Sequence, residues 1–145
     1  MTYKRLLPTR NDLMQKSIKT ADVIATLAGK FVLIERQKFP FGLALPGGHV
    51  EQGESPKMSA IREFSEETGL VLREVTFITR RRGKHRDPRY GMSETNVYAG
   101  ITAGTPKDEQ GSTKVVLFSE EEILKLPKDR FAFDHYKILG YFFSL

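Results

Sequence analysis

Short apolar runs bounded by turn residues dominate the first third of the chain. Residues 21–27 (ADVIATL) and 30–36 (KFVLIER) read as two strands, joined by a tight turn at Ala28-Gly29. Residues 37–42 then form a loop carrying Phe39, Pro40 and Phe41, and a short apolar piece, Leu43-Ala44-Leu45, meets the chain-bending Pro46-Gly47-Gly48. Over residues 55–68 the period changes, with Met58, Ile61 and Phe64 on one side at helical spacing. Ser55 is placed to cap this helix, and Pro56 takes the first position, where its missing N–H costs nothing. Gly69 stands where a left-handed residue ends a helix. Strand patterns follow at 70–79, 94–102 and 113–118, with 80–93 expected as a long basic loop. Ser119 caps a short helix whose first turn, Glu120, Glu121 and Glu122, suits the helix dipole; Pro127 ends it, and an aromatic-rich helix over 132–143 closes the chain. Strands, one helix, more strands and terminal helices predict an α+β or mixed α/β fold, not a regular βαβ alternation.

The 145 residues suit one domain spanning 1–145, and 39% hydrophobic with 28% charged residues is ordinary for a soluble globular protein. No apolar run approaches the roughly 18 residues that cross a bilayer, so no membrane partner is expected. Residues 1–10 carry charges with no apolar segment after them, so no secretory leader is expected. The absence of cysteine excludes disulfides and thiolate metal sites and suits a cytoplasmic protein. His49, His85 and His135 are scattered without zinc-ligand spacing. The net charge of +5 is concentrated: Arg80, Arg81, Arg82, Lys84, Arg86 and Arg89 fall close together, opposed only by Asp87.

The 55–68 helix carries candidate chemistry. Glu63, Glu66 and Glu67 stand at i, i+3 and i+4 and share one side, placed by the periodicity opposite Ile61 and Phe64. Like charges so spaced repel by a few tenths of a kcal/mol per pair. A hard divalent cation reverses that sign, because it takes several carboxylate oxygens. Arg62 precedes Glu66 by four residues and can pair with a carboxylate, while Glu54 can hold Arg62 from the other side. Gly47-Gly48 lets the backbone come close, with a carbonyl free to act as a ligand. By itself the cluster also reads as a solvated acidic face.

The wider spacing separates these readings. Gly48, five residues, Glu54, seven residues, then Arg62-Glu63-Phe64-Ser65-Glu66-Glu67-Thr68-Gly69-Leu70 resembles the Nudix box, G-x5-E-x7-R-E-U-x-E-E-x-G-U, where U is a bulky apolar residue. Every fixed residue is in register, with Phe64 where an aliphatic residue is usual. The resemblance runs from Ala21 to Leu70. It implies an α/β/α sandwich around a mixed sheet and a Mg2+-dependent hydrolase, with Mn2+ as a substitute, that cuts the pyrophosphate linkage of a nucleoside diphosphate joined to another group. Carried over by position, Glu63 and Glu67 would be direct metal ligands, Glu66 a ligand directly or through water, and the Gly48 carbonyl a further one. Glu54 and Arg62 would orient the loop and helix. Glu63 is the candidate general base within the box; Glu94, Asp108 and Glu109 are candidates outside it.

Later segments bear on the substrate. Arg86-Asp87-Pro88-Arg89 resembles the R-D-P-R loop of ADP-ribose pyrophosphatases, and Phe133-Asp134-His135 with Ile138-Leu139 resembles their F-D-H-x-x-I-L. Tyr90-Gly91-Met92 and Asp108-Glu109-Gln110 depart from that group's pattern. The expected small-molecule nucleotide is ADP-ribose, giving AMP and ribose 5-phosphate. Arg86 and Arg89 would clamp phosphates, and Phe39, Phe41 or Tyr90 would stack on a base. His49 is expected as a structural residue or substrate contact, and Asp134 and His135 as caps of the final helix with His135 facing solvent. The rival substrates are nucleoside triphosphates, dinucleotides and RNA 5′ ends, although a single basic loop is a thin signal for nucleic acid. A non-catalytic nucleotide-sugar sensor fits least, because every box carboxylate is present and no winged helix fits before Leu145. Tyr141-Phe142-Phe143 suits either the core or a homodimer interface.

Overall fold

The computed structural model describes residues 7–14 and 16–145, so the reading of 1–10 as lacking a leader falls mostly outside it. Helix α1 (Arg10–Met14) leads into β1 (Ser17–Leu27), β2 (Lys30–Arg36), β3 (Gly42–Ala44) and β4 (Gly47–His49). Helix α2 (Pro56–Thr68), β5 (Arg73–Lys84), β6 (Met92–Thr102), β7 (Thr113–Phe118), α3 (Glu120–Leu124), a 3-10 turn (Lys128–Arg130) and α4 (His135–Phe143) follow. The strands form one seven-stranded sheet in the order β3-β2-β1-β6-β5, with β4 added to β1 and β7 to β2. Only β1 and β6 run parallel; the other pairs are antiparallel. The sheet is therefore mixed, with helices on both faces, as the sequence predicts.

The chain alternation sorts the core into two layers. Ala21, Val23 and Ala25 face α2 and pack with Ala60, Phe64, Leu70 and Leu72. Ile24 faces the other way and packs with Leu33, Leu45, Val97, Ile138 and Leu139. Each large aliphatic or aromatic side chain so buried contributes roughly 1.5–3 kcal/mol. Among the described residues no helix is long and apolar enough to cross a membrane.

The sheet is forked, and the fork positions the site. Strand β1 pairs with β6 along its whole length, from Ser17↔Met92 to Leu27↔Thr102. With β2 it matches only beside the hairpin, at Thr26↔Phe31 and Leu27↔Lys30. Beyond that point the two strands diverge, and β4 replaces β2 as the partner of β1 at Thr20↔His49, Ala21↔Gly48 and Asp22↔Gly47. The turn before β4 wedges into the gap, where the Pro46 carbonyl accepts from Val23 N–H at 2.8 Å.

Several elements differ from the sequence reading. Half of the expected loop over 80–93 is strand: Arg80↔Asn96, Arg81↔Thr95, Arg82↔Glu94, Gly83↔Ser93 and Lys84↔Met92 continue the β5–β6 ladder, leaving a turn over 85–91. An edge strand tolerates such a run of charge because its outer side faces solvent. The first strand begins at Ser17 rather than Ala21, and the strand after α2 begins at Arg73 rather than Leu70. The closing helix starts only at His135, because Phe133 sits at φ 57°, outside helical geometry. Met58 is exposed, and the buried stripe of α2 runs instead through Ala60, Phe64, Glu67 and Thr68.

Candidate active site

Helix α2 is built locally and presents the acidic cluster. The Ser55 hydroxyl accepts from Met58 N–H at 3.1 Å, and Gly69, at φ 72°, closes the other end by donating to the Ser65 carbonyl. Arg62 is the hub. Its Nε and Nη2 donate to the two Glu54 oxygens at 2.7 and 3.0 Å, a bidentate pair. Its Nη1 donates to Glu63 at 3.0 Å and to Glu66 at 3.2 Å, and its Nη2 also reaches the His49 carbonyl at 3.2 Å. Arg62 holds the Glu54 carboxyl down to about 2.

Glu67 is held differently. One of its oxygens accepts from Gly47 N–H at 2.7 Å, and the residue is only 5% exposed. It does not lie opposite Phe64, because residues three apart on a helix are only about 60° apart around the axis. Burial pushes its carboxyl up to about 8, and the charges of Glu63, Glu109 and Asp22 add to that. Burial likewise raises Glu63. A Cβ on Gly47 would collide with Asp22 and the Ala21 carbonyl, so this approach requires glycine there, whereas one on Gly48 would meet only the end of the Glu63 side chain and displace it.

These residues fit a divalent cation. Glu63, Glu66 and Glu67 are hard oxygen donors at one helix edge, two of them with carboxyls raised by burial or neighbouring acids, a cost that a cation offsets. The side chains do not stand as a preset cage: among the described residues no three acids or histidines converge on one point. Arg62 engages Glu63 and Glu66, and Gly47 engages Glu67.

The structure separates the acids outside the box. Lys107 N–H donates to the Thr68 carbonyl at 2.7 Å, docking the following loop on the end of α2. This brings Glu109 close enough for its charge to raise both Glu63 and Glu67. The Asp108 carboxylate instead accepts from Val115 N–H at 2.8 Å, and Glu94 faces Lys19 at 4.0 Å.

A cleft opens beside Gly47 and Gly48, in the gap of the fork. Asp22 of β1 and Arg36 of β2 lie on its floor, with Arg89, Phe133 and His135 around it. Arg36 and Arg89 both stack on Phe133, their guanidinium carbons 5.0 and 5.5 Å from the ring centre. Arg89 is paired with Asp87 at 2.9 Å, which outweighs the effect of burial and raises its pKa. Among the described residues Arg36 has only carbonyl acceptors, with Nε 2.7 Å from the Pro40 oxygen, and burial and the charge of Arg89 lower its pKa. Tyr90 stands edge-on to His49, ring centres 5.6 Å apart.

Other expected contacts are placed elsewhere. Arg86 lines the cleft but gives its guanidinium to Asp134, at 2.6 and 2.9 Å, and to the Ser93 hydroxyl at 3.1 Å. Asp134 takes Arg81 as well, at 3.0 Å, and makes no side-chain cap. His135 is buried at 3% exposure and points inward, which corrects the expectation that it faces solvent. Phe39 and Phe41 are 60% and 68% exposed and lie outside the cleft lining. Asp22 and Arg36 were missed by sequence reasoning. The signal for Asp22 was present: a carboxylate within an apolar strand is costly unless it has a task.

The carboxylate-bearing helix, the glycine turn and the mixed sheet define a phosphate-cleaving hydrolase of the Nudix type, and comparison with known proteins places the chain within it. The NUDIX domain model matches residues 16–141, so the chain belongs to the NUDIX domain family and is a pyrophosphohydrolase. It is 33% identical over 120 residues to an ADP-ribose pyrophosphatase of Methanocaldococcus jannaschii, covering 81% of this chain and 68% of that one. It is 26% identical over 140 residues to an ADP-ribose pyrophosphatase of Bacillus subtilis, covering 88% and 74%. In fold it is similar to the NUDIX domain of Shewanella oneidensis NrtR solved with ADP ribose, with a TM-score of 0.77 at 22% identity over 90% of this chain and 88% of that one.

Proposed function

We propose that the enzyme hydrolyses ADP-ribose to AMP and ribose 5-phosphate with Mg2+, for which Mn2+ can substitute. The observation that carries this reading is the juxtaposition of the acidic edge of α2 with a cleft holding Arg36 and Arg89 around Phe133. The relatives that act on ADP-ribose support the same substrate. Glu63, Glu66 and Glu67, with the Gly48 carbonyl, would hold the cation. When bound, it supplies charge neutralisation at the diphosphate oxygens as the P–O bond breaks.

The chain's own residues do the rest. Arg36 and Arg89 bind the phosphates, and Phe133 holds both guanidiniums in place. Arg62, fixed by Glu54, keeps the helix and the His49 carbonyl in register. Glu109 is the general base of this reading. Asp108 is engaged by the backbone and Glu94 faces Lys19, whereas Glu109 borders the box acids. It takes the proton of a water that attacks phosphorus in line with the leaving phosphate. One water is consumed, and each product keeps one phosphate.

A second reading, an RNA 5′ end, has one observation in its favour. Arg80, Arg82, Lys84 and Lys137 line a basic groove beyond the Arg86–Asp134 pair. Among the described residues no Phe, Tyr or Trp lines that groove, which gives it no base-stacking platform there. Incubation with Mg2+ and a panel of ADP-ribose, sugar nucleotides, dinucleoside polyphosphates, nucleoside triphosphates and 5′-triphosphorylated RNA tests both. The expected result is preferential release of AMP and ribose 5-phosphate. Preference for any other member of the panel overturns the ADP-ribose assignment.

A further inference from the structure

We propose that His135 and Asp22, facing each other at the cleft floor, are positioning residues that fix the turn over residues 45–48 and, through it, the Glu67 carboxylate. The proposal rests on the reading of the box acids as the catalytic cluster.

His135 Nδ1 accepts from Leu45 N–H at 2.9 Å, a contact between residues 90 apart in the chain. Leu45 follows the last paired residue of β3, so its N–H has no ladder partner, and the imidazole takes that place. An accepting Nδ1 assigns the proton to Nε2. That nitrogen faces Asp22 Oδ2 at 3.5 Å, the outer limit of a hydrogen bond. Thr95 Oγ1 donates to the same oxygen at 2.5 Å, and both His135 and Asp22 are buried.

The turn is thus fixed at successive residues. Leu45 N–H is held by His135, the Pro46 carbonyl by Val23 N–H, and the Gly47 backbone packs directly on Asp22. Glu67 hangs from the next free donor, Gly47 N–H. The inward aim of His135 depends on Phe133, whose left-handed φ of 57° stops the helix from starting earlier and lays the Phe133 and His135 rings 4.9 Å apart. Such a conformation in a bulky residue persists only where its surroundings fix it.

The test compares His135→Ala, His135→Asn and His135→Gln in the full chain. Asparagine places an acceptor where Nδ1 stood; glutamine extends toward the Nε2 position. The readouts are kcat and KM on whichever nucleoside diphosphate derivative the wild type hydrolyses, Mn2+ affinity without substrate by electron paramagnetic resonance, and the 15N shifts of the His135 ring. For His135→Ala we expect kcat and Mn2+ affinity to fall on the order of 10–100-fold, as when an outer-shell partner is lost, with KM within about threefold. Asparagine should recover most of kcat and glutamine little. The ring should carry its proton on Nε2.

A folded His135→Ala with kcat and Mn2+ affinity within about threefold of wild type overturns the proposal, as does a ring protonated on Nδ1 alone. If the alanine variant does not fold, the other pair decides: asparagine above glutamine supports the proposal, and equal rates overturn it. Failure of ADP-ribose as substrate, or of Mn2+ to bind the wild type, would defeat the proposed function. The ranking of variants and the ring shifts would still be measurable.

Discussion

On one side of the cleft the acidic groups hang from a single helix and the glycine turn before it, all between Gly47 and Gly69. On the other side three consecutive residues gather partners from across the fold. Phe133 takes Arg36 and Arg89, Asp134 takes Arg81 and Arg86, and His135 takes Leu45 and Asp22. The helical wall is in internal conflict: Glu67 is buried and Glu63 half-buried, their carboxyls are raised, and one arginine is shared among several acids. The C-terminal wall is satisfied, and burial of Asp134 is outweighed by its two arginines, which hold its carboxyl below the usual range. On the proposed reading, the difference teaches that the first wall accepts a cost in stability for chemistry, whereas the second holds its substrate-facing groups in a fixed shape.

Substitutions on the two walls should therefore fail in opposite ways. The largest effect is expected for Glu67→Gln or Glu63→Gln. If each is a ligand to the proposed cation, kcat should fall roughly 10³-fold, while the melting temperature of the cation-free protein holds or rises. Near-wild-type turnover by either variant would break the contrast at once. Asp134→Ala should do the reverse, because it strands Arg86, whose side chain is 10% exposed. A loss of about 3 kcal/mol or more is expected in denaturant unfolding. Arg62→Ala should cost less, about 1–2 kcal/mol, because the pair it breaks is partly solvated.

The pH dependence of the cation-free protein sharpens the same contrast. Glu67 rises to about 8 from an ordinary 4.5, so the folded state holds that proton more tightly than the unfolded chain. Its contribution is complete below 4.5 and disappears as pH rises through about 8. Glu54 has the opposite sign: its value of about 2 lies below 4.5, so its contribution is present above 4.5 and lost as pH falls through about 2. Calorimetry in chelator should show stability falling toward both ends. Mg2+ should restore the alkaline side, because the carboxylate must shed its proton to bind a cation. Glu67→Gln should flatten the alkaline limb alone. The smallest effect is expected for Phe39→Ala, which lies outside the cleft lining. Its KM should stay within about twofold of wild type, and a tenfold rise would put Phe39 against substrate after all.

What could be read without coordinates follows the same division. The box helix, its Ser55 cap and its Gly69 terminus depend on neighbours a few residues away, so spacing alone places them. The depth of Glu67 was hidden because an i, i+3 neighbour of a buried Phe64 is pulled toward the core. The basic run over 80–84 pairs with β6 as an edge strand, a fact about register rather than composition. The inward turn of His135 depends on one left-handed backbone angle at Phe133, which no pattern of apolar residues encodes.

The fork between β1 and β2 separates two duties. The glycine turn and β4 ride with β1, and β1 is fastened to β6 along its full length. Arg36 rides on β2, which leaves β1 after only two matched positions. On the proposed reading the blade and the gauge stand on different prongs, so exchanging side chains on the β2 prong should admit another molecule while the cutting edge stays where it is.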